Sequence, residues 1–204
     1  PADRAVKVSS LAQFESVFGG RTAYASNMYD TARMFFEEGG AELLVSRVVG
    51  AAAKKGAVTL QDSEGVGTAA VEAISPGGYS GTYTATVEAA GADTFTLTVA
   101  DGANTIASFR NLRSVAALVN AAAANPFVRV RDLGSQSEGG ANPGPVAATA
   151  FEGGDDDRTA VATPAIIAAL ELAEEAAAGG AVAAPGYEAD IIGEELLAHA
   201  AQYN

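Results

Sequence analysis

Cysteine is absent from this chain, and histidine occurs once, at His199. The first absence excludes disulfides, thiolate nucleophiles and every zinc site built on sulfur, while leaving the redox compartment open. The second removes histidine-rich metal sites and makes any Ser/His/Asp triad depend on one residue near the end of the sequence. Long hydrophobic runs are missing too. Apolar residues make up 49% of the chain, yet no uninterrupted stretch approaches the ~18 residues that a membrane-spanning helix requires. Lysine is scarce: Lys7, Lys54 and Lys55 stand alone, and every other basic residue is arginine.

What is present is acid, alanine and glycine. The 204 residues are enough to bury a real core, as one medium domain or a core with a smaller insert. They carry 25 acidic against 12 basic side chains, a net charge of −13. Such a field repels phosphate, which disfavours nucleic acid and anionic membranes as partners. An acidic, lysine-poor surface suits a high-salt environment, and a GC-rich genome accounts for the same composition. Thermal melts separate the two. A salt-adapted surface repels itself in dilute buffer, so its midpoint rises toward ~1 M potassium chloride, where the screening length is ~3 Å. An unchanged midpoint assigns the composition to the genome. The chain opens on Pro1 and has no signal-peptide pattern, which predicts ends cut by experiment or protease.

The ends of the chain read as helical and its middle as β. The spacing of Ser10 and Gln13 predicts a capping box for a short helix carrying Leu11, Phe14 and Val17, stopped at Gly19-Gly20. Met28, Ala32, Phe35 and Phe36 fall at one face of a second helix, ended by Gly39-Gly40. Residues 43–49 predict a buried strand interior to a sheet. From about residue 56 the period becomes alternating, and strands at 82–89, 94–99 and 104–109 predict an antiparallel meander turning at Gly91 and Asp101-Gly102. A helix with Val115, Leu118, Val119 and Ala122 follows, then a strand from Phe127 to Val130, and residues 134–145 read as a flexible linker. Thr163 caps a further helix bearing Ile166, Ile167, Leu170, Ala173 and Ala177, closed by Gly179-Gly180. Residues 181–184 predict a small strand, and a last helix presents Ile192, Leu196, Ala200 and Tyr203 on one face. The fold class expected is therefore α/β (α+β). A small α/β domain is built from residues 1–50 and 151–204, with an antiparallel β-rich domain inserted at 51–150.

No candidate chemistry survives its context. Asp155, Asp156 and Asp157 are weak metal candidates, because adjacent carboxylates point apart whereas a metal loop alternates its ligands; a solvated turn is the simpler reading. Gly65-Val66-Gly67-Thr68-Ala69-Ala70 fits the loose dinucleotide fingerprint, but Pro76-Gly77-Gly78 interrupts the long helix that the fingerprint must open, so a hairpin loop is expected. Gly78-Tyr79-Ser80-Gly81 lacks the spacing of a nucleophile elbow. His199 reads as a surface or interface residue. The pairs Glu37-Glu38, Glu174-Glu175 and Glu194-Glu195 are neighbours about 100° apart on helices, hence solvated faces. No catalytic residue, cofactor or metal is expected. The threonine-rich strands around Tyr83 and Phe95 leave a second class open, a carbohydrate- or protein-binding module.

The order of several short motifs resembles the contractile phage tail sheath proteins. Leu11 to Phe14 leads to Val17-Phe18-Gly19-Gly20. The segment Tyr29-Asp30-Thr31-Ala32-Arg33-Met34-Phe35-Phe36-Glu37-Glu38-Gly39-Gly40 follows, then Val45-Ser46-Arg47-Val48. Ser75-Pro76-Gly77-Gly78-Tyr79-Ser80-Gly81-Thr82 sits where that family enters a β-rich insert, with Tyr79 and Thr82 in place of its usual tryptophan and asparagine. Ser108 to Leu112 and Phe151-Glu152-Gly153-Gly154-Asp155-Asp156 resemble its later landmarks. The resemblance implies a structural subunit on a virion tail, assembled in the host cytoplasm. Its partners would be other sheath subunits, with an inner tail tube and baseplate reached through an N-terminal arm and a C-terminal domain that this chain lacks. It further implies an excised outer portion, monomeric by itself.

Overall fold

The computed structural model of the chain describes residues 4–135, 140–174 and 180–203. In chain order the elements are β1 (Val6–Val8), α1 (Leu11–Phe18), α2 (Ser26–Glu37), β2 (Leu43–Val45), β3 (Ala57–Gln61), β4 (Gly67–Ala73), β5 (Tyr83–Gly91), β6 (Thr94–Asp101), β7 (Asn104–Leu112), α3 (Val115–Ala122), β8 (Val128–Asp132), β9 (Val146–Ala150), α4 (Thr163–Glu174) and α5 (Ala189–Tyr203). Short 3-10 turns occupy Gly78–Thr82 and Arg158–Ala160. The fold is mixed α/β with three antiparallel sheets. No described helix is long and apolar enough to cross a membrane.

Two compact units emerge: Pro1–Ala51 with Thr159–Asn204, and Ala52–Arg158. In the first, Ser10 caps α1 by accepting the Gln13 N–H at 3.2 Å, and the Gln13 side chain returns a bond to the N–H of Ser9 rather than of Ser10. Gly19, at φ 89°, supplies the left-handed residue that ends the helix. At the end of α2, the N–H of Gly39 reaches Phe36 O and that of Gly40 reaches Phe35 O. Val8, Phe14, Ala32 and Val45 form the buried centre, with Leu11, Phe18, Met28, Tyr29, Phe36 and Leu43 around them. The strand expected over 43–49 as the interior of a sheet is instead three residues long and, among the described residues, pairs only with β1. A two-stranded ribbon has no interior, and one helical layer is enough to cover its apolar face.

In α4, Ile166 and Ala169 are buried, and in α5 Ile192 is. Residues 181–184, expected as a strand, have no strand pairing. Gly186 instead lies close to Asn27. Glu175, Ala177 and Gly179 lie outside the described residues.

The second unit stacks a three-stranded sheet, ordered β3-β4-β8, and a four-stranded sheet, ordered β7-β6-β5-β9, around one core with α3. Leu60, Val71 and Val128 meet Val87, Leu97, Val99 and Leu118 there, all at most 2% exposed. Each such side chain contributes about 1.5–3 kcal/mol of burial. The meander β5-β6-β7 has the expected alternation, while β9 adds a fourth strand beside β5. The 134–145 segment departs from a free linker where it is described. Ser135 is buried, the N–H of Gly144 donates to Gln61 O at 2.8 Å, and Asn142 donates to Arg113 O. Residues 136–139 lie outside the described residues. Residues 151–158, grouped by sequence with the terminal unit, pack with the β strands because Phe151 is buried in their core.

Candidate functional site

Many of the residues singled out by sequence lie at two places, one in each unit. The first is the α1–α2 pair. Phe14 is 3% exposed, with ring centroids 5.2 Å from Phe18 and 6.3 Å from Tyr29. The Tyr29 hydroxyl donates to Glu15 Oε1 at 2.6 Å, which pushes its pKa up because ionisation would break that bond. Arg21 donates through Nε and Nη2 to both oxygens of Asp30, and this bidentate bond holds the Asp30 carboxyl below its ordinary pKa. Phe36 packs on the core, and Phe35 lies edge-on to it at 5.2 Å. Gly40 sits beneath the Phe35 ring so tightly that a Cβ would come within 2.4 Å of it. Arg47 is half-buried beyond the end of β2, and Gly20 is exposed.

The Asp30 shift has a sign that can be measured. A folded-state pKa below the unfolded value contributes stability above about pH 4, lost as pH falls through the lowered value. Both partners are partly exposed, so the energetic effect is small. Arg21→Ala is expected to raise the Asp30 midpoint toward an ordinary aspartate in a carboxyl-resolved NMR titration. An unmoved midpoint would remove Arg21 as the cause.

The second place is where the chain enters and leaves the β-rich unit. Lys54 and Asp155 exchange backbone hydrogen bonds at 2.8 and 2.9 Å, and Ala57 and Glu152 exchange two more at 2.9 Å. Ser80, fully buried, donates its hydroxyl to Gly77 O at 2.9 Å. Gly56, Gly77 and Gly154 close around that serine: a Cβ on Gly154 would lie 2.3 Å from Ser80 Oγ and 2.5 Å from Gly77 O. Tyr79 returns its hydroxyl to Ser75 O at 2.9 Å, and the rings of Tyr79, Tyr83 and Phe151 stack edge-on in series. Burial, with Tyr79 and Asp101 nearby, pushes the Tyr83 phenol up to about 12.

The three aspartates belong to this closure. Asp155 Oδ1 accepts the N–H of Asp157, Asp156 Oδ2 accepts from Arg158 and from the N–H of Gly78, and Asp157 Oδ2 accepts the N–H of Ala52. Asp157 adopts φ 48°, a left-handed conformation that aspartate tolerates better than most residues. Among the described residues no group of three His, Asp or Glu is placed to hold a metal. The carboxylates accept main-chain and arginine N–H groups, which is structural work. Gly65, at φ 81°, turns the β3–β4 hairpin, and Gly67–Ala70 lie in β4. His199 rests against Tyr203, 4.9 Å between ring centroids. Tyr83 and Phe95, the aromatics beside the threonine-rich strands, are 6% and 4% exposed. Neither ring is available for a sugar to stack on.

The convergence of Ser75–Gly77 with Gly153–Gly154 was not derivable from spacing, since about 75 residues separate the two motifs. The signal that marks it is the glycine pair at 153–154, of which Gly154 must be small because the backbone of Gly56 and Gly77 lies against it.

The fold is similar to that of two sheath tail proteins of known structure. One, from Listeria innocua, superposes with a TM-score of 0.60 at 17% identity over 85% of this chain. The other, from Desulfitobacterium hafniense, superposes with a TM-score of 0.55 at 18% identity, again over 85%. This chain spans only 35% and 36% of their respective lengths. No family model and no curated protein matches the sequence.

Proposed function

We propose that this chain is the outer part of a structural subunit of a contractile tail sheath. In this reading the subunits polymerise around an inner tail tube on a virion and shorten to drive the tube through a cell envelope. The observation that supports it best is the likeness in fold to sheath tail proteins over 85% of the chain. The motif residues are in keeping with it: Phe14, Phe18, Phe36, Gly77 and Gly154 all serve packing or closure. Contraction requires two discrete packings of pre-folded bodies, and no covalent step. The partners are other copies of the subunit, with the tube and baseplate contacted through regions outside these residues. Assembly takes place in the host cytoplasm, and the protein is not an enzyme. Negative-stain imaging of a chain extended to the length of the structural neighbours tests the reading: hollow cylinders support it, and dispersed globular particles under every assembly condition oppose it.

For the 204 residues alone the expectation is a monomer. At −13 per copy, like charges oppose association unless a specific interface overcomes them. Sedimentation at tens of micromolar should give a single species near 20.4 kDa. A stable ring or filament would transfer the polymer contacts to these residues.

A further inference from the structure

The two units are built differently along the chain. Every residue of the larger core, from Val58 to Phe151, lies between Ala52 and Arg158, and the segments that open and close that unit are bonded to each other. The terminal unit is assembled from pieces on either side of this insertion. Its later piece meets its earlier one around Gly186, whose Cβ would come within 2.8 Å of Asn27, and the exposed Tyr187 lies near Tyr24. Bringing these pieces together closes a loop of roughly a hundred residues. That closure is entropically costly while the loop is unfolded, and far less so once its ends are fixed side by side.

We propose that folding is coupled in one direction: the β-rich unit folds without the terminal unit, whereas docking of the α4–α5 segment onto the α1–α2 piece depends on the β-rich unit being closed at Lys54/Asp155 and Ser80. The closure thus acts as a folding checkpoint. It presents the two terminal pieces to each other only after the insert has formed.

Hydrogen exchange of the full chain under increasing denaturant tests this. Amides of α5 should lose protection at or below the concentration at which those of β6 do, and never above it. Gly186→Val places a branched side chain against Asn27 at φ 94°, a left-handed conformation hostile to valine. It should lower protection in α5 by about tenfold or more and leave β6 unchanged. Leu97→Ala weakens the insert, and at the denaturant concentration where β6 opens in that variant, α5 should already be open. Two results would overturn the proposal: α5 still protected while β6 is open, or Gly186→Val lowering β6 by the same factor as α5.

Discussion

Gly154→Ala should lower the stability of the β-rich unit by about 2–3 kcal/mol, the cost of forcing extra volume into a packed site. For a unit of this size that is a fall of roughly 10–15 °C in melting midpoint. The added methyl would meet Ser80 Oγ at 2.3 Å, Gly77 O at 2.5 Å and Gly56 N at 3.2 Å. Two of these are backbone atoms with no rotamer to relax into. Ser80 cannot swing away without breaking its bond to Gly77 O. The control is Gly81→Ala, three residues from Gly78 in the same motif, where nothing lies within 4 Å of the new Cβ. That variant should melt within a few degrees of the wild type, since a compatible Gly→Ala change shifts stability by under about 1 kcal/mol. Equal melting of both variants would mean that the closure does not matter to the fold.

Leu97→Ala should cost about 3 kcal/mol or more. Leu97 is 0% exposed at the middle of β6, paired across to Val87 on β5 and Phe109 on β7. Its truncation opens a cavity between the two stacked sheets, and the paired backbones on both sides limit collapse into it. Thr98, next along the same strand, points to the other face opposite Thr86 and Ser108. Thr98→Ala should therefore stay within about 0.5–1 kcal/mol of wild type, in the range of a lost β-propensity and cross-strand pair. Urea titrations with unchanged slope would read both differences as stability. Similar losses for the two residues would contradict the assignment of faces.

The face assignment of β5, β6 and β7 was legible because half-buried antiparallel strands must alternate, and Thr82 to Val87 and Thr94 to Val99 do so without interruption. Helix ends were legible for the same local reason: Ser10 and Gly19 act within one turn of α1. What escaped was set by distant partners. β4 is buried on both faces, so its residues 68–71 show no alternation, and Gly67, with Gly65 in the turn before it, matches a nucleotide motif instead. β9 is five small residues after a proline-glycine segment, and only its pairing with β5, some sixty positions earlier, makes it a strand. The residues 43–49 have the composition of a central strand, yet among the described residues just three, Val6–Val8, pair with them. At the candidate site the sequence singled out Ser75 to Gly77 and Gly153–Gly154 as motif residues and Asp155 to Asp157 as a solvated turn. Their joint role around Ser80 depended on contacts that no local pattern encodes.

The most direct test of the sheath reading is electron microscopy of virion tails from the source organism, labelled with an antibody raised against residues 1–204. A sheath subunit repeats along the whole tail, so label should decorate the shaft at regular intervals and follow the outer cylinder when the tail shortens. Label confined to the capsid, to one end of the tail or to the exposed inner tube would contradict the account.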